Sequence, residues 1–185
     1  MASTSLVWSP APYHLITYST LLGTQVFHSF YNATVAYKTL ERPQFAVLQR
    51  ALFPGYFGLQ AAAPILLALT YPARKLFDAK LSSSGIFGVL ERENRWTVLA
   101  PLATAFVTGL VNLVYLLPET NKITAKRRAQ ETKDGKRSWD TPPHSEEMAT
   151  LNRQFGQIHG ISSLLNLITL GATLVYGFGL SKRIE

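Results

Sequence analysis

Neutral polar side chains recur on one face of the first apolar segment of this 185-residue chain. Gln25, His28 and Asn32 are three and four residues apart, a spacing that places side chains on one face of an α-helix. No Asp, Glu, Lys or Arg occurs from residue 1 to residue 37. Amide and imidazole groups in such a helix either hydrogen-bond to neighbouring helices or line a polar cavity for a ligand. The pattern favours interhelical hydrogen bonds, with a ligand cavity as the alternative.

A second set of polar residues lies near the start of the last apolar segment. His159 stands between Gly156 and Gly160, whose spacing predicts close approach by another helix. The hydroxyl and amide residues that follow extend this polar face, and Asn112 in the preceding apolar segment is their expected partner. The sequence therefore predicts an intramembrane polar cluster formed by Gln25, His28, Asn32, Asn112, His159, Ser162, Ser163 and Asn166.

The arrangement of acidic residues argues against several kinds of chemistry. All 11 Asp and Glu residues, from Glu41 to Glu185, lie outside the long apolar segments. A serine beside His159 would therefore lack a carboxylate at membrane depth to orient the imidazole, and a transporter would lack the acidic group that commonly binds a cation or proton there. No nucleophile elbow, phosphate-binding loop or His-Glu-x-x-His motif is present. We predict no catalytic residues and no enzyme activity.

Metal and haem binding find little support in the same residues. The chain has no cysteine, which removes thiolate ligands. His14 and His28 lie about 21 Å apart along one helix, so they cannot share an ion. We predict no metal site and no cofactor, and we keep a bis-His haem site involving His28 or His159 as a minor alternative.

The elements that must position these residues are four uncharged apolar segments. Each has at least the ~20 residues that a helix needs to cross ~30 Å of hydrocarbon. Pro54 and Pro64 lie inside the second segment, and the carbonyls that they free need neighbouring helices, which favours a packed bundle. The sequence predicts an all-α fold and a single integral membrane domain, a four-transmembrane-helix bundle with spans at residues 13–37, 51–71, 96–117 and 158–180.

A charged, partly helical loop at residues 119–153 connects the third and fourth predicted spans, the third being closed by Pro118. We expect one helix through Glu131, a flexible stretch from Asp134 to Pro143, and a second helix capped by Ser145 that packs on the membrane surface before turning inward. The Lys and Arg distribution favours a cytosolic position for this loop. Its predicted contacts with anionic lipid headgroups are Lys126, Arg127, Arg128, Lys136 and Arg137.

The loop between the second and third spans, residues 74–95, has an amphipathic pattern. Its apolar residues predict that it rests on the membrane interface; they are Leu76, Phe77, Leu81, Ile86, Phe87 and Leu90.

Several motifs resemble the transmembrane protein 205-like family, over a stretch from about Tyr13 to Gly179. The most specific is the run His-Gly-Ile-Ser-Ser-Leu-Leu-Asn-Leu that begins at His159. The others are Leu-Phe-Pro-Gly-Tyr-Phe from Leu52, Asn112 with Leu-Pro-Glu-Thr from Leu117, Arg-Gln-Phe from Arg153, and Gly23, Gln25 and Phe30. The resemblance implies a four-span membrane protein without an agreed biochemical activity, and it supplies no catalytic residues.

Taken together, these features favour a non-enzymatic, multi-pass membrane protein. We expect it to act through contacts with lipids, with a membrane-protein partner or with a second copy of itself, and not with nucleic acid, because acids are interleaved with its basic residues. A small-solute carrier or channel lined by the neutral polar residues is the alternative, and a bis-His haem protein is the second. The endoplasmic reticulum or another endomembrane is favoured, with mitochondrial and plasma membranes as alternatives.

Overall fold

The first two long helices form an antiparallel pair. The computed structural model describes residues 9–73, 75–76, 79–80 and 84–182. The first helix consists of α1 (Pro10–Val26), a π-helical turn (Phe27–Asn32) and α2 (Ala33–Thr39). The second helix is α3 (Arg42–Leu69), which begins with a capping box formed by Glu41 and Gln44. This helix begins nine residues before the predicted second span at residues 51–71. Pro43 does not interrupt it, because Pro43 lies in the first turn of α3, where proline is tolerated.

A short connection follows the second helix. It contains a two-residue β-ladder between β1 (Lys75–Leu76) and β2 (Ala79–Lys80), and then the six-residue α4 (Gly85–Leu90). In α4 the side chains of Ile86, Phe87 and Leu90 are exposed, and their position at the membrane interface stays a prediction. Two other residues of the predicted amphipathic pattern, Phe77 and Leu81, lie outside the described residues.

The third and fourth helices are both longer than a membrane is thick. The third begins with a 3-10 turn (Arg92–Asn94) and a π-helical turn (Arg95–Leu99). It continues as α5 (Ala100–Val111), a second π-helical turn (Asn112–Leu116) and α6 (Leu117–Asp134). The fourth is α7 (Glu146–Ser181). The 36 residues of α7 reach about 54 Å, well beyond ~30 Å of hydrocarbon.

The prediction that the third helix ends at Pro118 is wrong. Proline lacks an N–H and its ring clashes with the carbonyl four residues earlier in a regular helix. Here a π-helical turn precedes it, in which the Leu117 N–H bonds to the carbonyl of Asn112, five residues back. This wider turn accommodates Pro118 in the first turn of α6. Pro101 follows the other π-helical turn of this helix in the same way.

The expected turn between the helix after Ser145 and the last span is also wrong, because α7 is continuous from Glu146. The cap itself is confirmed, since the Met148 N–H donates to Ser145 Oγ at 3.2 Å. At the other end of the loop, α6 passes Glu131 and ends at Asp134, where Gly135 adopts φ 62°. The parts of α6 and α7 beyond the bundle pack together as a helical hairpin, which we define as residues 119–157.

Three of the described helices are long and apolar enough to cross a membrane: Arg42–Leu69, Arg92–Asp134 and Glu146–Ser181. The first helix, which contains the predicted span at residues 13–37, is not among them. Its sequence carries hydroxyl, amide and imidazole side chains along its whole length, which lowers its hydropathy. The protein is therefore a multi-pass helical membrane protein, and the predicted helical bundle is confirmed at that level.

The helices pack around a core between the first helix, α3, α5 and α7. Its buried residues are Leu21, Ala63, Leu67, Tyr71, Val89, Val98, Leu102, Tyr176 and Leu180. The two helices α3 and α5 pack closely at Gly109, where a Cβ would lie 2.9 Å from the carbonyl carbon of Gln60. The close approach predicted at Gly156 and Gly160 is not found, since no described atom lies within 4 Å of a Cβ built at either position.

Candidate functional site

Side chains from the first, second and fourth helices form a closed ring of hydrogen bonds. Tyr56 Oη donates to Asn166 Oδ1 at 2.8 Å, and Asn166 Nδ2 donates to Ser29 Oγ at 3.0 Å. The Ser29 hydroxyl closes the ring by donating to Tyr56 Oη at 3.2 Å, because the tyrosine proton is already used. Gln60 Nε2 adds a further bond to Asn166 Oδ1 at 2.7 Å. The ring ties three helices together at one level of the bundle.

A partly open cavity of about 290 Å³ lies beside this ring. All four long helices contribute to it, and none of its lining residues is charged. Aromatic and aliphatic side chains form most of the wall, and imidazole, hydroxyl and amide groups form the rest. The lining residues are His28, Ser29, Phe30, Ala33, Phe53, Tyr56, Phe57, Leu117, Thr120, His159, Ser162, Ser163, Asn166 and Leu167. Such a mixture of apolar wall and few polar groups is typical of small-molecule sites.

His28 is the most deeply buried of the cavity's two imidazoles, with 8% of its surface exposed. Its Nδ1 accepts a hydrogen bond from Asn32 Nδ2 at 3.1 Å. Its ring packs edge-on against Phe53 and lies 4.4 Å from the Tyr56 ring, centroid to centroid. Its Nε2 is buried and has no hydrogen-bond partner among the described residues. His28 therefore brings an unused polar atom to the cavity.

His159 reaches the same cavity from α7 in a different environment. Its side chain is exposed, and its ring stacks on Phe155 at a centroid distance of 5.6 Å. The described residues contain no group of three or more His, Asp or Glu side chains that could hold a metal ion. The imidazoles of His28 and His159 therefore line the same cavity from two different helices.

Asn112 bonds to the fourth helix behind the cavity wall. Ser162 Oγ donates to Asn112 Oδ1 at 2.7 Å, and Asn112 is fully buried. Gln25 is equally buried, but neither of its amide atoms has a partner among the described residues. Of the eight predicted cluster residues, the cavity wall contains His28, His159, Ser162, Ser163 and Asn166. Asn32 and Asn112 each bond to one of these residues, and Gln25 does not line the cavity.

Sequence reasoning missed the part of the site contributed by α3. Tyr56 and Gln60 bond to Asn166, and Phe53 packs on His28. The signal was present, because these residues are three and four apart and so share a helix face. Ser29 was also missed, since it adjoins His28 rather than following the three- and four-residue spacing of the predicted face.

A separate cluster at the other end of the bundle involves His14. The Thr70 hydroxyl donates to the Leu66 carbonyl at 2.7 Å, so it accepts the N–H of His14 Nδ1 at 2.9 Å. Tyr176 Oη then donates to His14 Nε2 at 2.8 Å. Both ring nitrogens are used, and His14 is only 1% exposed. This histidine joins three helices and has no capacity left for a ligand.

The hairpin outside the bundle is held by a buried carboxylate. Glu131 accepts hydrogen bonds from the Ser138 N–H at 3.0 Å and from the Ser138 hydroxyl, and it pairs with Arg137 at 3.5 Å. Burial by itself raises the pKa of Glu131, but the hydrogen bonds from Ser138 and the charge of Arg137 outweigh it and hold the pKa below its ordinary value. The stretch predicted as flexible is therefore tied to α6.

The predicted headgroup contacts have different environments in the hairpin. Arg127 Nε donates to Asn152 at 2.9 Å, and its guanidinium lies over the Phe155 ring; burial lowers its pKa. Lys136 Nζ donates to the Pro143 carbonyl at 2.8 Å, and Arg137 pairs with Glu131. Lys126 and Arg128 are exposed. Contacts inside the hairpin thus occupy three of the five residues, and the other two face outward.

The sequence has recognisable relatives, whereas no solved structure matches it. The model of a domain of unknown function, DUF4149, matches residues 16–129, which is more than half of the chain. A protein of Aspergillus fumigatus described as xanthocillin biosynthesis cluster protein D is 34% identical over 173 residues, covering 94% of this chain and 90% of that protein. The region that the DUF4149 model matches includes most of the first helix, α3 and α5, and it contains His28, Tyr56 and Asn112. The chain belongs to the DUF4149 family.

Proposed function

We propose that this chain is a non-enzymatic membrane protein that binds a lipid in the cavity between its four long helices. The observation that carries the proposal is the wall of that cavity. It combines aromatic surface with neutral polar groups, and within the part of the chain that the structure describes His28 Nε2 has no hydrogen-bond partner. A buried polar atom without a partner lowers stability unless something hydrogen-bonds to it. A lipid could supply both the apolar contact and that hydrogen bond.

We also propose that the chain crosses the membrane four times: the first helix is a span in addition to the three candidate spans given above. Residues 10–39 carry one charge, Lys38, and their length of 30 residues exceeds the ~20 needed for a span. Ser29 bonds to α7 in the same ring as Tyr56 of α3, so the first helix lies at the depth of two candidate spans. The motifs similar to the transmembrane protein 205-like family support the same topology. We place the protein in the endoplasmic reticulum or another endomembrane, where a protein partner or a second copy could share its apolar surface.

A small-solute carrier is the second candidate. Gln25 favours it, since both of its buried amide atoms lack a hydrogen-bond partner among the described residues. A biosynthesis cluster, which the name of the Aspergillus fumigatus relative mentions, is a setting in which such a carrier would be useful. Against it, the side-chain amides of Asn32, Asn112 and Asn166 are already hydrogen-bonded to other side chains. A bis-His haem site has less support, because the Asn32 bond places the proton of neutral His28 on Nε2, its only unoccupied nitrogen.

Native mass spectrometry of the full chain, purified in mild detergent, tests lipid binding. Ala33 lines the cavity, so Ala33→Phe would fill part of it, whereas Thr34 is exposed and does not line it. We expect lipid adducts on the wild type and on Thr34→Phe, and their loss from Ala33→Phe. Identical adducts on all three proteins would contradict the proposal. An absorbance scan of the same samples tests the haem alternative, which predicts a Soret band that His28→Ala removes.

A further inference from the structure

We infer that the cavity binds the ester carbonyl of a neutral glycerolipid, and that His28 Nε2–H donates the hydrogen bond to it. The inference rests on the proposed lipid-binding function and specifies its ligand. It comes from four properties of the site: the protonation of His28, the rigid position of its ring, the absence of charge in the wall, and the depth of the cavity in the bundle.

The hydrogen bond from Asn32 determines which nitrogen of His28 carries the proton. The amide nitrogen of Asn32 can only donate, so His28 Nδ1 accepts at 3.1 Å. A neutral imidazole with an accepting Nδ1 carries its proton on Nε2. Nε2 is the atom that is buried without a partner among the described residues. The cavity therefore offers a donor, and its ligand must bring an acceptor.

The imidazole is held in this position by its neighbours. The Phe53 ring packs edge-to-face with it at a centroid distance of 5.6 Å, and the centroid of the Tyr56 ring lies 4.4 Å away. Tyr56 is itself held by its bond to Asn166. A donor that is fixed in this way loses little entropy when it binds an acceptor, which favours a specific hydrogen bond.

The absence of charged residues from the cavity wall favours a neutral ligand. None of the residues lining the cavity is Asp, Glu, Lys or Arg. A phosphate group placed there would lose its hydration without gaining a cationic partner. Carbonyl oxygens of esters accept hydrogen bonds without carrying charge, and the apolar side chains of Phe30, Phe57 and Leu167 suit the adjacent methylene groups.

The depth of the cavity matches that of the ester groups of a bilayer lipid. Its wall ends at Leu117 and Thr120, and the charged residues Glu119 and Lys122 begin at the same level of α6. On α3, the charged residue Arg50 lies three residues, about 4.5 Å, before the cavity residue Phe53. The cavity thus lies in the apolar layer just below the start of the hairpin, where hydrocarbon gives way to the polar interface. Its volume of about 290 Å³ suits the glycerol ester region, with the acyl chains extending into the bilayer.

The test compares a diacylglycerol with the matching diether, which lacks both carbonyl oxygens. We expect the wild-type protein in detergent to bind the diester about 3- to 10-fold more tightly, the range expected for one neutral hydrogen bond. His28→Phe keeps an aromatic ring but removes the donor, so it should bind both lipids equally. His28→Gln supplies an amide N–H and should restore part of the difference. His144→Phe, in the hairpin, is the control and should behave as the wild type.

The outcomes separate this inference from the proposed function. Equal binding of diester and diether by the wild type, with loss of both in Ala33→Phe, would overturn the carbonyl bond and leave lipid binding intact. Tighter binding of an anionic phosphatidylglycerol than of diacylglycerol would overturn the neutral ligand. Failure of every lipid to bind the wild type would overturn both proposals. A diester preference that persists in His28→Phe would show that another group makes the bond.

Discussion

Asn166 makes three hydrogen bonds to side chains of other helices, more than any other residue of the predicted cluster makes within the described part of the chain. Its amide oxygen accepts from Tyr56 and Gln60, and its amide nitrogen donates to Ser29. Because no water is available inside a bilayer, removing this side chain would take one hydrogen bond from each of three partners, with no water to replace it. At the scale of single residues, the amide of Asn166 is what aligns the first, second and fourth helices.

Replacing Asn166 by leucine tests this role. Leucine has a similar size but cannot bond, so we expect a loss of about 2 kcal/mol in stability, from three bonds of ~0.6 kcal/mol each. Gln157→Leu is the control on the same helix, since Gln157 is exposed. Thermal unfolding of both variants in detergent measures the difference. Equal melting temperatures for Asn166→Leu and the control would show that the ring contributes nothing.

The residue types in the site were predictable, and their partners only in part. The spacing of Gln25, His28 and Asn32 predicts hydrogen bonds between helices, but Asn32 bonds to His28 within its own helix. The bond between Asn112 and Ser162 joins the two helices on which the sequence placed them. Periodicity assigns a residue to a face and does not fix the rotation of a neighbouring helix, which is why the contributions of Tyr56 and Gln60 were missed.

At the scale of elements, α3 and α5 pack closely at a glycine of α5. A Cβ at position 109 would lie 2.9 Å from the carbonyl carbon of Gln60 and 3.0 Å from its Cβ, so either the helices or Gln60 would have to move. Gln60 also bonds to Asn166, and any displacement would therefore reach the ring.

We expect Gly109→Ala to lower stability by about 1–3 kcal/mol, the usual effect of overpacking. Gly171→Ala is its matched control, because no described atom lies within 4 Å of a Cβ there and alanine favours a helix by about 0.5–1 kcal/mol. The two variants should change the melting temperature in detergent in opposite directions. A neutral Gly109→Ala would contradict the close packing of α3 and α5.

The hairpin should respond to acid through Glu131. Its pKa in the folded hairpin is below the ordinary value of 4.5, so the carboxylate stabilises the hairpin fully above that pH. The contribution is lost as the pH falls through the lower, folded-state pKa. Hydrogen exchange of residues 135–145 should therefore accelerate relative to the bundle in acid. Glu131→Gln should show faster exchange already at neutral pH, and unchanged exchange in this variant would contradict the role of the carboxylate.

Helix boundaries show where the sequence was informative and where it was not. Uncharged runs located the four long helices, because a bilayer excludes charge from such stretches. Proline was misleading at Pro118, since a preceding π-helical turn let the helix continue. The continuity of α7 could not be predicted either. Nothing in its sequence distinguishes a surface helix that turns inward from one that continues straight.

At the scale of the whole molecule, four spans would place both ends of the chain on one side and the hairpin on the other. The chain contains no cysteine, which allows single cysteines to report on topology without background. We expect Thr141→Cys, in the hairpin, and Ser9→Cys, before α1, to react with a membrane-impermeant maleimide from opposite sides of sealed vesicles. The Lys and Arg distribution further predicts that Thr141→Cys faces the cytosol. Labelling of both positions from the same side would contradict the fourth span.

Photocrosslinking in intact membranes tests most directly whether lipid enters the cavity beside His28. A diacylglycerol with a photoreactive group near its ester should label peptides that contain the cavity residues Phe53 to Phe57 and Ser162 to Leu167. The labelling should fall in Ala33→Phe and persist in Thr34→Phe. Labelling confined to outward-facing positions such as Leu69 and Phe178, with no effect of Ala33→Phe, would contradict the claim.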